Sequence, residues 1–224
     1  MSHWNVRISV LLILSLTPPS SLSAQAATSD LPEIRAENAL STLAVKGRAP
    51  KTGYSRSEFG TAWADVDRNG CDTRNDILKR DLTGIVYREK TEKCVVLSGM
   101  LLDRYSGETL TFLRGVTTSA DVQIDHVVAL SNAWQTGAFK FSEESRRLLA
   151  NDSLNLFAVK GKINAQKGDG DAATWLPPKR SFWCTYISQQ IAVKVKYKLW
   201  VTPPEKAAME RILKTCPNQL LPAG

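Results

Sequence analysis

Apolar positions along the chain change texture three times. Near the start, Ile8 to Leu16 (ISVLLILSL) forms a short greasy run behind Arg7, followed by Pro18, Pro19, serines and Ala24-Gln25-Ala26. A basic flank, a short apolar run and a small-residue site in that order predict a secretory leader cleaved after Ala26. The nine residues of the run are too few to cross a ~30 Å hydrocarbon core. Helical spacing then predicts a helix over Glu33–Val45, followed by a loop or linker (KGRAPKTGY), a helix over Ser57–Trp63 and another over Thr73–Leu82. Asp76 stands three residues after Thr73 as a capping box, and Asp67-Arg68-Asn69-Gly70 reads as a turn.

From Cys94 the pattern becomes that of strands: Cys94–Leu102, a turn at Tyr105-Ser106-Gly107, then Glu108–Leu113. A third apolar stretch, Val122–Leu130, precedes a helix beginning near Ser142 and a short strand over Leu154–Val159. A polar, lysine-bearing segment leads to Trp175-Leu176-Pro177-Pro178. Two helices close the chain. Ile187, Ile191, Val195 and Leu199 recur every four residues in the first, and Thr202-Pro203-Pro204-Glu205 opens the second. Val193–Lys198 also alternates as a strand would, but the length of the segment and its lack of breakers favour helix.

Composition adds compartment and scale. The 224 residues, 43% apolar and 23% charged, fit one globular domain with appendages. The expected plan is a leader over 1–26, an N-terminal segment and linker over 27–54, the domain proper over 55–217 and a tail over 218–224. No stretch beyond the leader is apolar enough for a membrane. The four cysteines, Cys71, Cys94, Cys184 and Cys216, all follow the leader and are even in number. Outside the cell they predict two disulfides, with three connectivities open and the local pairing of Cys71 with Cys94 and Cys184 with Cys216 preferred. They occur singly, without the C-x-x-C spacing of a zinc site. The net charge of +7 suits a partner that is a polyanion.

Histidine is scarce. One of the two lies in the leader, which leaves His126 in "VQIDHVVALSNAW" as the histidine of the mature chain. It stands beside Asp125; Asn155 follows on the predicted short strand, and Asn164 comes nine residues later with Lys167 and Asp169 behind it, giving DH, N and N-x-x-K-x-D. This register resembles the HNH nuclease motif, a strand, strand, helix unit around one divalent metal that is also found in the HNH domain of the RNA-guided CRISPR nuclease. Residues 94–178 are similar to the secreted bacterial HNH endonuclease family related to the C-terminal domain of the GmrSD restriction enzymes, and the likeness runs from about Phe59 to Cys216.

The resemblance implies an α+β fold with a ββα-metal (HNH) core over about 120–178 and flanking helices. It implies His126 as general base, Asn155 bracing the loop that carries it, Asp125 and Asn164 as metal ligands, and Lys167 on a substrate phosphate. The chemistry fits these residue types. Phosphodiester hydrolysis needs an activated water, a cation to take up phosphate charge and a stabilised leaving oxygen. A carboxylate and an amide oxygen favour Mg²⁺ or Mn²⁺ over softer metals. Strand alternation would set Asp125 and His126 on opposite faces unless the chain turns at that point. Between His126 and Asn155 lies a long excursion of 28 residues.

The expected partner is nucleic acid, DNA foremost and RNA as well, met by a monomer with little sequence preference, since no specificity module is recognisable. Two other classes compete. Hydrolysis by a serine or cysteine nucleophile would have to recruit His126 too, and no G-x-S-x-G elbow is present. A non-catalytic extracellular polyanion binder with a decayed HNH site would bind in Mg²⁺ without cleaving.

Overall fold

The computed structural model describes residues 34–222, together with Met1. The expected leader and cleavage site lie outside the described residues. The fold is α+β with two disulfides, Cys71–Cys94 and Cys184–Cys216, and no free cysteine remains among the described residues.

Helix α1 (Ala36–Thr42) is shorter than its apolar pattern predicts, because Leu43 turns extended and Val45 bridges to Val201. Ala36, Ala39 and Leu40 form a buried stripe at helical spacing. Arg35 bridges to Leu220, so residues expected to be linker and tail close on each other and belong to the domain. The expected helix over Ser57–Trp63 shrinks to a 3-10 turn, Arg56–Phe59. Gly60 ends it at φ 77°, a left-handed backbone that glycine adopts readily.

Helix α2 (Thr73–Asp81) is capped one residue earlier than predicted: the Asp72 side chain accepts from the Asn75 N–H, while the Thr73 hydroxyl donates to the Ala64 carbonyl. It runs directly into β1 (Leu82–Tyr87), a strand that the apolar pattern did not announce. β1, β2 (Val96–Leu102) and β3 (Thr109–Leu113) form an antiparallel sheet in that order. Asn75 ties α2 to the sheet by accepting from the Val96 N–H.

The second sheet pairs β4 (Val122–His126) with β5 (Leu156–Lys160), antiparallel, with Asp125 opposite Phe157 and His126 opposite Leu156. β4 ends at His126, and the apolar residues beyond it enter a short helix, α3 (Leu130–Gln135). α4 (Glu143–Ala150) starts at Ser142 as predicted, with that side chain accepting from the Ser145 N–H. β5 leads at once into α5 (Gly161–Lys167). A Cβ at Gly161 would lie 2.1 Å from the Ala120 carbonyl oxygen, so only glycine fits this corner.

The chain closes with α6 (Trp183–Lys196) and α7 (Pro203–Leu213), the latter carrying the Thr202–Glu205 capping box. The α6 helix includes most of the stretch that could alternate as strand, and ends before Lys198 at φ 51°.

These elements bury both faces of the β4–β5 pair. Ile124, Leu156 and Ala158 pack with the three-stranded sheet and α2, while Phe157 and Val159 pack with Tyr105, α1, α6 and α7. A sheet covered on two sides reads as a near-continuous apolar run, so a charged residue inside it needs partners. The excursion between His126 and Asn155 is a packed subunit of the core, built on Trp134, Leu149 and Phe59.

Candidate active site

Alternation along β4 sends Asp125 and His126 to opposite sides, and each side chain finds its own buried partners. Asp125 Oδ1 accepts from Lys167 Nζ at 2.9 Å and Oδ2 from the Tyr105 hydroxyl at 2.6 Å. Burial, then the Asp125 charge, raises the Tyr105 phenol well above its usual range, so the hydroxyl keeps its proton and donates. Lys167 Nζ also donates to the His126 carbonyl at 2.7 Å. With its side chain fully buried beneath the strand, Lys167 is not placed for the phosphate contact expected of it. The last turn of α5 carries it inward.

On the other side, His126 Nε2 lies 2.8 Å from the Ala150 carbonyl oxygen. A carbonyl only accepts, so Nε2 carries the proton and Nδ1 is the acceptor of the neutral ring. Nδ1 has no hydrogen-bond partner among the described residues. Burial, opposed by the bond to Ala150 and helped by the Arg56 and Lys167 charges, leaves the imidazole pushed down to about 4. The ring is therefore neutral throughout the physiological range, not half-titrated near its ordinary value. Trp63 lies nearly parallel to it, at 10° with centroids 5.9 Å apart.

Asn155 clamps the turn that follows. Fully buried, it accepts from the Val128 N–H at 2.8 Å and donates to the Val128 and Leu149 carbonyls, while its own carbonyl accepts from the Val127 N–H. One side chain thus joins the exit of β4 to the end of α4. On α5, Asn164 Nδ2 donates to Gln123 Oε1 at 2.9 Å, which leaves its Oδ1 without a partner among the described residues.

Although they leave β4 on opposite sides, Asp125 and His126 both border one cleft of about 210 Å³, together with Asn164, Arg56, Ser131 and Asp169. Asp169 is held by Lys51 at 2.7 Å and Ser131 at 3.0 Å, and the Lys51 hydrogen bond lowers its carboxyl. Arg56 at the cleft, Tyr105 against Asp125 and Trp63 against His126 are neighbours that sequence reasoning missed. Each comes from a segment remote from the motif, and nothing in its local pattern marks it.

The donor set can be tested against a divalent cation. Among the described residues no group of three or more histidines, cysteines and acids is arranged to hold a metal. The cleft instead offers a carboxylate, each oxygen of which has used one of two lone pairs, and one free amide oxygen. Two oxygen ligands with space for water and phosphate fit Mg²⁺ or Mn²⁺, which keep much of their hydration, and do not fit zinc. Because Lys167 shares the carboxylate, a cation there would be held weakly.

Over 202 residues, 89% of this chain and 89% of the other, the sequence is 39% identical to a protein of the fungus Arthroderma benhamiae described as an uncharacterized secreted protein. That relative is fungal, so the bacterial half of the expected likeness has no support in it. No solved structure matches. Residues 72–212, from the cap of α2 to the end of α7, match the family described as GmrSD restriction endonucleases, C-terminal domain, and the chain belongs to that family.

Proposed function

We propose that the protein is a secreted, metal-dependent endonuclease of the HNH type that hydrolyses phosphodiester bonds of nucleic acid, DNA foremost, with little sequence preference. The observation that carries this reading is the neutral His126 ring, protonated on Nε2 by its bond to Ala150 and open on Nδ1, beside the Asp125 and Asn164 oxygens in one cleft. The family of restriction endonucleases supports the reaction class. The two disulfides and the secreted relative support an extracellular site of action.

His126 Nδ1 takes a proton from the water that attacks phosphorus, and Ala150 keeps the ring in the tautomer that can do so. Asp125, oriented by Tyr105 and Lys167, and Asn164 would hold the cation. When bound, Mg²⁺ or Mn²⁺ would neutralise charge on the phosphate and the leaving oxygen. Asn155 positions His126 through the Val127–Val128 backbone, and exposed Arg56 is placed to meet a phosphate at the cleft.

The test is incubation of the purified protein, without its leader, with plasmid DNA and with RNA in Mg²⁺, Mn²⁺ and EDTA. Cleavage with either metal and none in EDTA is expected. Activity that survives the chelator would point to a nucleophilic side chain, and binding in Mg²⁺ without cleavage to a polyanion binder.

A further inference from the structure

Beside the cleft is a second cavity that the chemistry above does not use. It measures about 220 Å³ and shares Arg56, His126 and Leu130 with the cleft, so the two spaces adjoin across these residues. Its other walls are mainly apolar, with Phe59, Trp63 and Ala150 prominent. A cation at the junction and an aromatic wall behind it describe a receptor for a flat, apolar group tethered to an anion.

Two further features fit such a guest. Asn151, almost fully buried, also borders the cavity, and its Oδ1, itself buried, has no hydrogen-bond partner among the described residues, so this wall carries an unsatisfied polar side chain. Trp63 sits at φ 60°, a left-handed backbone that a bulky aromatic residue rarely adopts. The segment that follows holds it there: the Thr73 N–H donates to the Trp63 carbonyl and the Thr73 hydroxyl to the Ala64 carbonyl. Strain of this kind persists where the surroundings over-determine it, and it clusters at ligand sites.

We infer that this cavity receives one unpaired nucleobase next to the phosphate under attack, with Trp63 as its stacking wall, so that the preferred substrate is single-stranded or locally unpaired nucleic acid. The inference rests on the nuclease reading for the position of that phosphate. A base inside a duplex has both faces covered and its edge paired, and it must leave the stack before it can enter a concave site. A single strand offers the base at no such cost. Any base has a π-face, so the contact adds affinity without reading sequence.

The test compares three substrates of one sequence: a single strand, the same strand with abasic sites through its centre, and the strand annealed to its complement. Binding is read in EDTA by anisotropy of an end label, and cleavage in Mg²⁺ or Mn²⁺ on a gel. The wild type should favour the base-bearing single strand over the abasic strand by roughly 10- to 100-fold, the range of base–aromatic stacking, and should also favour it over the duplex. Trp63→Ala should bring the base-to-abasic ratio close to one, while Trp63→Phe keeps most of it. Should Trp63→Ala fail to fold, Ala62→Phe, at an exposed wall position, fills the cavity and should lower the same ratio. Equal binding of base-bearing and abasic strands by the wild type overturns the inference, as does a wild-type ratio in Trp63→Ala. If no strand is cleaved with any metal, the nuclease reading fails by itself, and the binding ratio in EDTA still decides the cavity.

Discussion

Lys167 Nζ, on the last turn of α5, is buried 2.9 Å from Asp125 Oδ1 on β4, and the same ammonium donates to the His126 carbonyl. This pair closes the strand–strand–helix unit on itself. The helix that follows β5 is drawn back onto β4 at the residue pair on which the proposed chemistry depends. It also fixes the carboxylate between two donors, Lys167 and Tyr105, before any cation arrives.

Lys167→Met should therefore destabilise the protein by about 3 to 5 kcal/mol, because it leaves a buried carboxylate without its cation. Urea denaturation in EDTA measures this. A loss under about 1 kcal/mol would mean that Asp125 reaches water in the absence of the lysine.

Activity should return with Mg²⁺ or Mn²⁺ after EDTA treatment, and Asn164→Ala should need a higher metal concentration to reach half its maximal rate. The reason is the single free amide oxygen that Asn164 presents to the cleft. Wild-type metal dependence in Asn164→Ala would remove this residue from the ligand set.

His126→Ala should lose ~10²- to 10⁴-fold in rate while retaining the metal requirement and nucleic-acid binding of the wild type, since the ligands and basic contacts remain. Circular dichroism establishes that the variant is folded. Cleavage within a few fold of wild type would make His126 a structural residue.

The same histidine predicts an acid limit on stability in the metal-free protein. Its folded value is pushed down to about 4 by burial, with the Arg56 and Lys167 charges adding to the effect, whereas the unfolded value is ~6.5. Below ~6.5 the unfolded chain binds the extra proton, so stability falls as pH drops from ~6.5 towards 4 and is independent of this group at higher pH. The full effect is on the order of 3 kcal/mol. His126→Gln should flatten this part of a urea-midpoint profile recorded in EDTA, and an unchanged slope would assign the acid sensitivity to other groups.

Reduction of the disulfides should lower stability by about 2 to 4 kcal/mol for each bond. Cys71–Cys94 pins the start of α2 to the approach to β2, and Cys184–Cys216 joins the start of α6 to the segment after α7. The denatured, unreduced protein should show no reactive thiol on titration. Two or more would contradict the pairing.

Some of this was legible along the chain because it depends on neighbours in sequence. The apolar stretch that carries Asp125-His126, the Thr202–Glu205 cap, the helix from Ser142 and the disulfide pairing all arise from local spacing, and local spacing is what a sequence displays. The spacing of Asn155 and Asn164 likewise marked candidates that the fold brings to β4, one through its backbone and the other across the cleft. Where local signals competed, packing decided. Asp72 displaced Thr73 as the cap, Gly60 cut the helix after Phe59 to a single turn, and β1 formed against β2 despite its Gly84. Only the tertiary structure could reveal that Lys167 is buried, that Tyr105 serves Asp125 and that Arg56 and Trp63 flank His126. These contacts join residues tens of positions apart. They form because a charged strand buried on both faces must recruit its partners from whatever elements cover it, and the sequence records those elements without recording which of them meet.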